Sequence, residues 1–207
     1  MTETGRKAHW EGVYASKGET EVSWFQETPA PSFELIECAG AKPASAIIDI
    51  GGGASRLVDV LLARGFSDLT VLDISPAALA AAQARLGDRA DRVAWIAADA
   101  TEWQPEARYD VWHDRAAFHF LTAPRDQQAY LIRLERALRP GGHVVIGTFA
   151  PDGPEKCSGL PVMRHDAASL ARLLGEDFEL VEERRHAHET PWASLQRFQF
   201  SLFRRRP

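Results

Sequence analysis

Five short apolar runs, rich in β-branched or aromatic residues and alternating with stretches of helical period, constrain this chain more than any other feature. They read "SAIIDI", "LTVLDI", "RVAWIAAD", "YDVWHD" and "GHVVIGTF", each bounded by Gly, Pro or charge as buried strands are. "SRLVDVLLARG", "SPAALAAAQARLG" and "APRDQQAYLIRLERALRPGG" carry Ser or Pro near the start and Gly just after the end, the marks of helices. Such alternation predicts an α/β fold with a parallel sheet and right-handed crossovers. Past Pro151 the pattern changes to a Gly/Pro-rich loop, one helix "HDAASLARLLG" and two extended runs, which pair most simply as an antiparallel hairpin at the sheet edge. Ahead of the sheet, Trp10, Val13 and Tyr14, then Phe33, Leu35 and Ile36, fall at helical spacing. With 207 residues, 45% of them hydrophobic, the chain suits one domain. Residues 1–40 would form a helical cover, 46–150 the sheet core, and 151–207 a loop, helix and edge hairpin.

The first run ends in "IIDIGGGASR". In open α/β sheets the ligand crevice lies outside the C-terminal ends of the strands, so Gly51, Gly52 and Gly53 stand in it. A triphosphate loop would need Gly-Lys-Ser/Thr, and no lysine occurs between Lys42 and Lys156. A dinucleotide loop would need a third glycine where Arg56 stands, and no Tyr-x-x-x-Lys pair supports a nicotinamide-dependent oxidoreductase. Asp49 behind the loop suits a cationic ligand, although glycines after a strand are also plain tight turns. Two further acids end the next two strands. Asp73 follows the loop at about 20 residues, where a carboxylate reaches ribose hydroxyls, and Asp99 lies within reach of an adenine edge. Either could instead cap a helix, more readily Asp99, because Ser75 already offers the cap before Pro76.

Together "IIDIGGGAS", "VLDIS", "AADAT", "YDVWHDRAAFHFL" and "LRPGGHVVIGTF" resemble the class I S-adenosylmethionine-dependent methyltransferases. The resemblance implies a Rossmann-like, doubly wound, seven-stranded sheet, mostly parallel with an antiparallel last strand, and S-adenosylmethionine as cofactor. It implies Asp49 and the Gly51–Gly53 backbone at the amino-acid end of the cofactor, Asp73 with Ile74 at the ribose, Asp99 with Ala100 at the adenine, and Asp114 beside them. The glycine pattern departs from the family's at Ser55. A ligand without phosphates needs no lysine, and its ammonium and sulfonium suit an acidic crevice.

The same resemblance places Asp114, Arg115, Phe118 and His119 around the transferred methyl group. Asp114 and His119 are the candidate catalytic residues. His119 is the candidate base for an amine or alcohol, while a thiol needs less help; a packed structural histidine is the alternative. "DRAAFHFL", "TFAPDGPEKCSGLPV" and "RRHAHETP" are similar to the thiopurine and thiocyanate methyltransferase branch, and the early "HWEGVYASKGETEVSWFQ" also to lysine-directed enzymes. Trp24, Phe25, Cys157 and His188 then join Arg115 and Phe118 as candidate acceptor contacts. The first expectation is transfer to a small nucleophile, a thiol or other soft atom foremost. A protein-lysine methyltransferase is the nearest rival, and a non-catalytic sensor of the cofactor remains open.

Lys plus Arg number 24 against 29 Asp plus Glu, a net charge of −5 that speaks against a nucleic-acid partner. No apolar stretch reaches the ~18 residues of a membrane span, and the polar start lacks a secretory signal, so a cytoplasmic protein is expected. Cys38 and Cys157 fit no disulfide framework or zinc spacing, nor do Cys157, His165, His186 and His188 together, so no metal is expected.

Overall fold

In a computed structural model that describes residues 3–207, the five runs become parallel strands β1 (Ala46–Ile50), β2 (Asp68–Asp73), β3 (Val93–Ala97), β4 (Tyr109–Arg115) and β5 (Leu138–Phe149). β6 (Phe178–Glu189) and β7 (Leu195–Arg205) form the expected hairpin. The seven strands lie in the order β3-β2-β1-β4-β5-β7-β6, with β7 antiparallel to both neighbours. Strand order reverses between β1 and β4, and ligands settle at that switch point in such sheets.

Alternation along β1 explains the two-sided core. Ile47 faces α2 (Ser32–Cys38), α3 (Leu57–Ala63) and α4 (Pro76–Leu86), and packs with Leu35, Leu61 and Leu79. Ile48 and Ile50 face α5 (Pro124–Ala137) and α6 (Ala167–Leu174), and pack with Leu134 and Leu170. Each such side chain contributes about 1.5–3 kcal/mol by leaving water. The helix signals act as read: Ser75 accepts the Ala78 N–H ahead of α4, and Asp166 with Ser169 makes a capping box for α6. One boundary differs. The run through "LRPGG" leaves the helix at Ala137 and β5 begins at Leu138, because Pro140 can neither donate to nor fit a helix interior. Residues Glu3–Ser16 form α1, the cover helix; the first two residues of the polar start lie outside the described residues. No described helix is long and apolar enough to cross a membrane.

Candidate active site

A cavity of about 820 Å³, its open mouth included, lies at the switch point, where ligands of open α/β sheets settle. Its floor is the turn after β1. Gly51 has φ +66°, and a Cβ there would stand 2.6 Å from the Ala117 Cβ, so only glycine permits this approach. One wall comprises Asp73 and Ile74 after β2 and Asp99, Ala100 and Thr101 after β3. The opposite wall holds Arg115, Ala116, Phe120 and Cys157, and Trp24 closes one side. The roof is α1, where Arg6, Trp10 and Tyr14 recur every four residues and all face the cavity.

The roof is fastened by specific bonds. Glu11 accepts from the Ser75 hydroxyl at 2.5 Å and the Ala77 N–H at 3.1 Å, at the N-terminus of α4. The Arg6 guanidinium meets Asp99 at 2.7 Å and Asp126 at 3.2 Å. Trp10 stands edge-on to Phe120 and Trp24, and the Trp24 indole donates to the Tyr14 hydroxyl at 3.3 Å. Spacing could have flagged Trp10 and Tyr14 as one stripe, but nothing local marks Arg6 or Glu11, whose partners lie far along the chain.

The three strand-end acids differ in what they can offer a ligand. Asp73 is buried in the cavity wall, and one of its oxygens accepts the Ser75 N–H at 2.8 Å. Desolvation raises its pKa to about 7, as for a carboxylate short of donors. Asp99 is already engaged: one oxygen takes the Thr101 N–H and hydroxyl, at 2.8 and 2.7 Å, and the other takes Arg6. Asp99 therefore ties down a turn, with no helix following for it to cap, and is not a free adenine acceptor. Asp49 does not line the cavity; it bonds His113 Nδ1 at 2.6 Å behind the glycines. A Cβ on Gly52 would stand 2.6 Å from its carboxylate. His113 escaped the sequence reading because the contact arises only from the β1–β4 register, which sets Asp49 opposite it.

After β4 the four candidates separate. Arg115 faces the cavity, whereas Asp114, Phe118 and His119 turn into the core. Both Asp114 oxygens are spent on the Ala117 and Phe118 N–H groups, at 3.0 Å each, and on the Tyr130 hydroxyl at 2.6 Å. Tyr130 in turn accepts from the Trp112 indole at 2.7 Å. The placement corrects the expectation that Asp114 touches the cofactor or the methyl group: it is a buried anchor for the turn that carries Ala116 and Ala117. Phe118 packs on Tyr130 with ring centres 4.9 Å apart, which removes it from the acceptor contacts. His119 lies fully buried against Phe149 and Phe120, where it cannot reach a nucleophile in the cavity as a base.

Of the remaining candidates, Trp24 and Cys157 line the cavity. Burial pushes the Cys157 thiol up to about 11. Phe25 lines a smaller recess beneath the Arg56 guanidinium, 5.4 Å away, and Arg56 binds Glu19 and Glu27. His188 is buried, its Nε2 2.7 Å from the Ser23 carbonyl. Among the described residues no group of three His, Cys, Asp or Glu is arranged to hold a metal ion.

His119 yields a stability prediction. Desolvation, helped by Arg115 and His165, lowers its pKa to about 3, against about 6.5 in the unfolded chain. Between those values the unfolded state binds more protons, so stability is lost as pH falls through that window, by up to about 1.4 kcal/mol per pH unit for this group. His119→Gln, which retains an acceptor for the Phe149 N–H, should flatten the loss of Tm between pH 6.5 and 4. It should leave the pH profile of turnover unchanged; a changed profile would return His119 to the chemistry.

Comparison with known proteins agrees with this architecture. Residues 48–144 match the family model for a methyltransferase domain. Over 128 residues the chain is 35% identical to trans-aconitate 2-methyltransferase of Methylobacterium radiotolerans, covering 61% of this chain but only 45% of that protein. It is 27% identical over 160 residues to EEF1A lysine methyltransferase 2 of Danio rerio, covering 69% and 67%. The fold also matches the Burkholderia thailandensis 1,6-didemethyltoxoflavin-N1-methyltransferase, solved with its acceptor and S-adenosylhomocysteine. The TM-score is 0.75 at 24% identity, with 100% of this chain and 92% of that one covered. Residues 48–144 thus form a methyltransferase domain, and the strand order and the glycine turn at the switch point are those of the class I S-adenosylmethionine-dependent methyltransferases.

Proposed function

We propose that this protein transfers the methyl group of S-adenosylmethionine to a small nucleophile by direct in-line displacement. The observation that carries the reading is one roofed cavity that joins the Gly51 turn and the desolvated Asp73 to an aromatic enclosure of Trp10, Tyr14, Trp24 and Phe120. The residues suit the cofactor: Asp73 lacks the donors that ribose hydroxyls would supply, Ile74 and Ala100 give apolar walls for a flat base, and Gly51 lets the methionyl end lie on bare main chain. Bound there, S-adenosylmethionine supplies an electrophilic methyl on a sulfonium that leaves as a neutral thioether. The chain's own part is to exclude water and align the nucleophile with that methyl, and such positioning contributes about 7–11 kcal/mol in favourable intramolecular cases.

Mixing the protein with S-adenosylmethionine and a panel of thiols, sulfide, phenols, amines and carboxylates should release S-adenosylhomocysteine with at least one of them. Titration calorimetry should show S-adenosylhomocysteine binding and no binding of a nicotinamide dinucleotide; the reverse would sink the reading. The thiols test the acceptor that the sequence favours first. A protein-lysine acceptor is the second reading, supported by the extent of the match to the lysine methyltransferase. It calls for label from the methyl donor to appear in a protein band, against which the roof of α1 argues.

A further inference from the structure

Arg115 is the one cation on the cavity wall that makes no ion pair among the described residues. Its Nη1 donates to the Trp24 carbonyl at 2.8 Å, and its guanidinium carbon lies 5.0 Å from the Phe198 ring centre. Nε and Nη2 are shut off from solvent and have no hydrogen-bond partner. No carboxylate among the described residues forms an ion pair with it. Asp49 attracts it through space but is bonded to His113, and the His119, His186 and His188 rings nearby bring no negative charge. A buried cation left so costs several kcal/mol, a cost offset when a ligand brings the missing anion.

The cofactor brings no net negative charge. Its methionyl end is a zwitterion and its sulfonium adds a positive charge, so cofactor binding makes the cavity more cationic. Asp99 is committed to Arg6, and Asp73 lies on the opposite wall. The Arg115 side of the cavity also lacks a competent base: the Tyr14 phenol is pushed up by burial and by Asp73, the Cys157 thiol is pushed up by burial, and His119 is sealed in the core. An acceptor that needs no proton removed fits such a wall.

Resting on the methyltransferase reading, we infer that the acceptor is a carboxylic acid bound as its anion, with the Arg115 guanidinium at the cavity wall as its docking site. In the transfer a carboxylate oxygen forms the new O–C bond to the methyl as the S–C bond breaks, and the bonding pair passes to sulfur. The products are a neutral methyl ester and a neutral thioether, and no proton moves. Arg115 holds and orients the carboxylate; it donates in a fork that suits two oxygens.

The test uses matched pairs, benzoate with benzamide and succinate with succinamide, together with aconitate and its trimethyl ester. Each is titrated into the protein saturated with S-adenosylhomocysteine and assayed for methyl ester formation with S-adenosylmethionine. At least one acid should bind tenfold or more tightly than its neutral partner and should yield ester. Arg115→Met should lose that preference, and Arg115→Lys should keep part of it. The affinity of both variants for S-adenosylhomocysteine should stay within about threefold of the unaltered protein. The inference is overturned if no acid outbinds its neutral partner, if Arg115→Met methylates the acceptor as well as the unaltered protein does, or if Arg115→Met loses S-adenosylhomocysteine affinity tenfold, which would assign the guanidinium to the cofactor's own carboxylate. Failure of the unaltered protein to bind S-adenosylhomocysteine would instead remove the methyltransferase reading itself.

Discussion

Asp73→Asn should weaken S-adenosylhomocysteine binding ten- to a hundredfold, about 1.4–2.7 kcal/mol, while raising the Tm of the free protein at pH 8. Both effects come from the same desolvation. The carboxyl sits in the wall and accepts the Ser75 N–H at 2.8 Å, and burial raises its pKa to about 7, with Asp49 and Glu11 adding to the push. An unfolded aspartate titrates near ~3.9, so between pH 4 and 7 the fold binds more protons than the unfolded chain. Stability therefore declines as pH rises across that window and stays low above it. Asparagine keeps an oxygen for the Ser75 N–H and removes the charge, which eliminates that decline. A ligand hydroxyl pair, in contrast, prefers the ionised acceptor, since hydrogen bonds to charged groups are about twice as strong as neutral ones. Affinity in the unaltered protein should consequently rise with pH through about 7, and the variant should show no such rise. Calorimetry at pH 6 and 8 checks both statements; equal affinity of the two proteins at pH 8 would take Asp73 out of the site.

How much of this was legible in the sequence depended on whether the information was local. The five sheet-core strands could be read because each carries its own apolar run and its own punctuation. The positions of Asp73 and Asp99 could be read because a residue that ends a strand of a parallel sheet stands at the crevice whichever way the sheet is wound. Direction was not local. Asp114 and Arg115 are neighbours at the end of β4, and alternation sends one into the core and the other into the cavity. Sequence fixes that they diverge but not which goes where. Partnership was not local either: Asp49 with His113 and Arg6 with Asp99 are 64 and 93 residues apart. His119 misled for a related reason, because the turn after β4 is where the family's chemistry gathers, yet here that turn folds back against Phe149 and its histidine becomes packing.

The same divergence makes Asp114→Ala the most damaging single change expected for stability. Its carboxylate accepts from two backbone N–H groups and the Tyr130 hydroxyl without contact with water. Burial pushes its pKa up to about 6, against the pull of those donors. Alanine would leave all three donors unpaired in the core, a loss of about 3–5 kcal/mol from a total that for a domain of this kind is about 5–15 kcal/mol. Urea midpoints should fall accordingly. Tyr130→Phe removes one of those donors and also the acceptor of the Trp112 indole, so it should cost about 1–3 kcal/mol. The double variant should lose less than the sum of the two, because the residues act as one network. A catalytic Asp114 would behave differently: Asp114→Asn would abolish turnover at nearly unchanged stability. For a buried anchor, an amide offers one oxygen where the three donors use two and sets its own N–H₂ against one of them. Stability and turnover should then fall together, with turnover returning at low temperature where the variant remains folded.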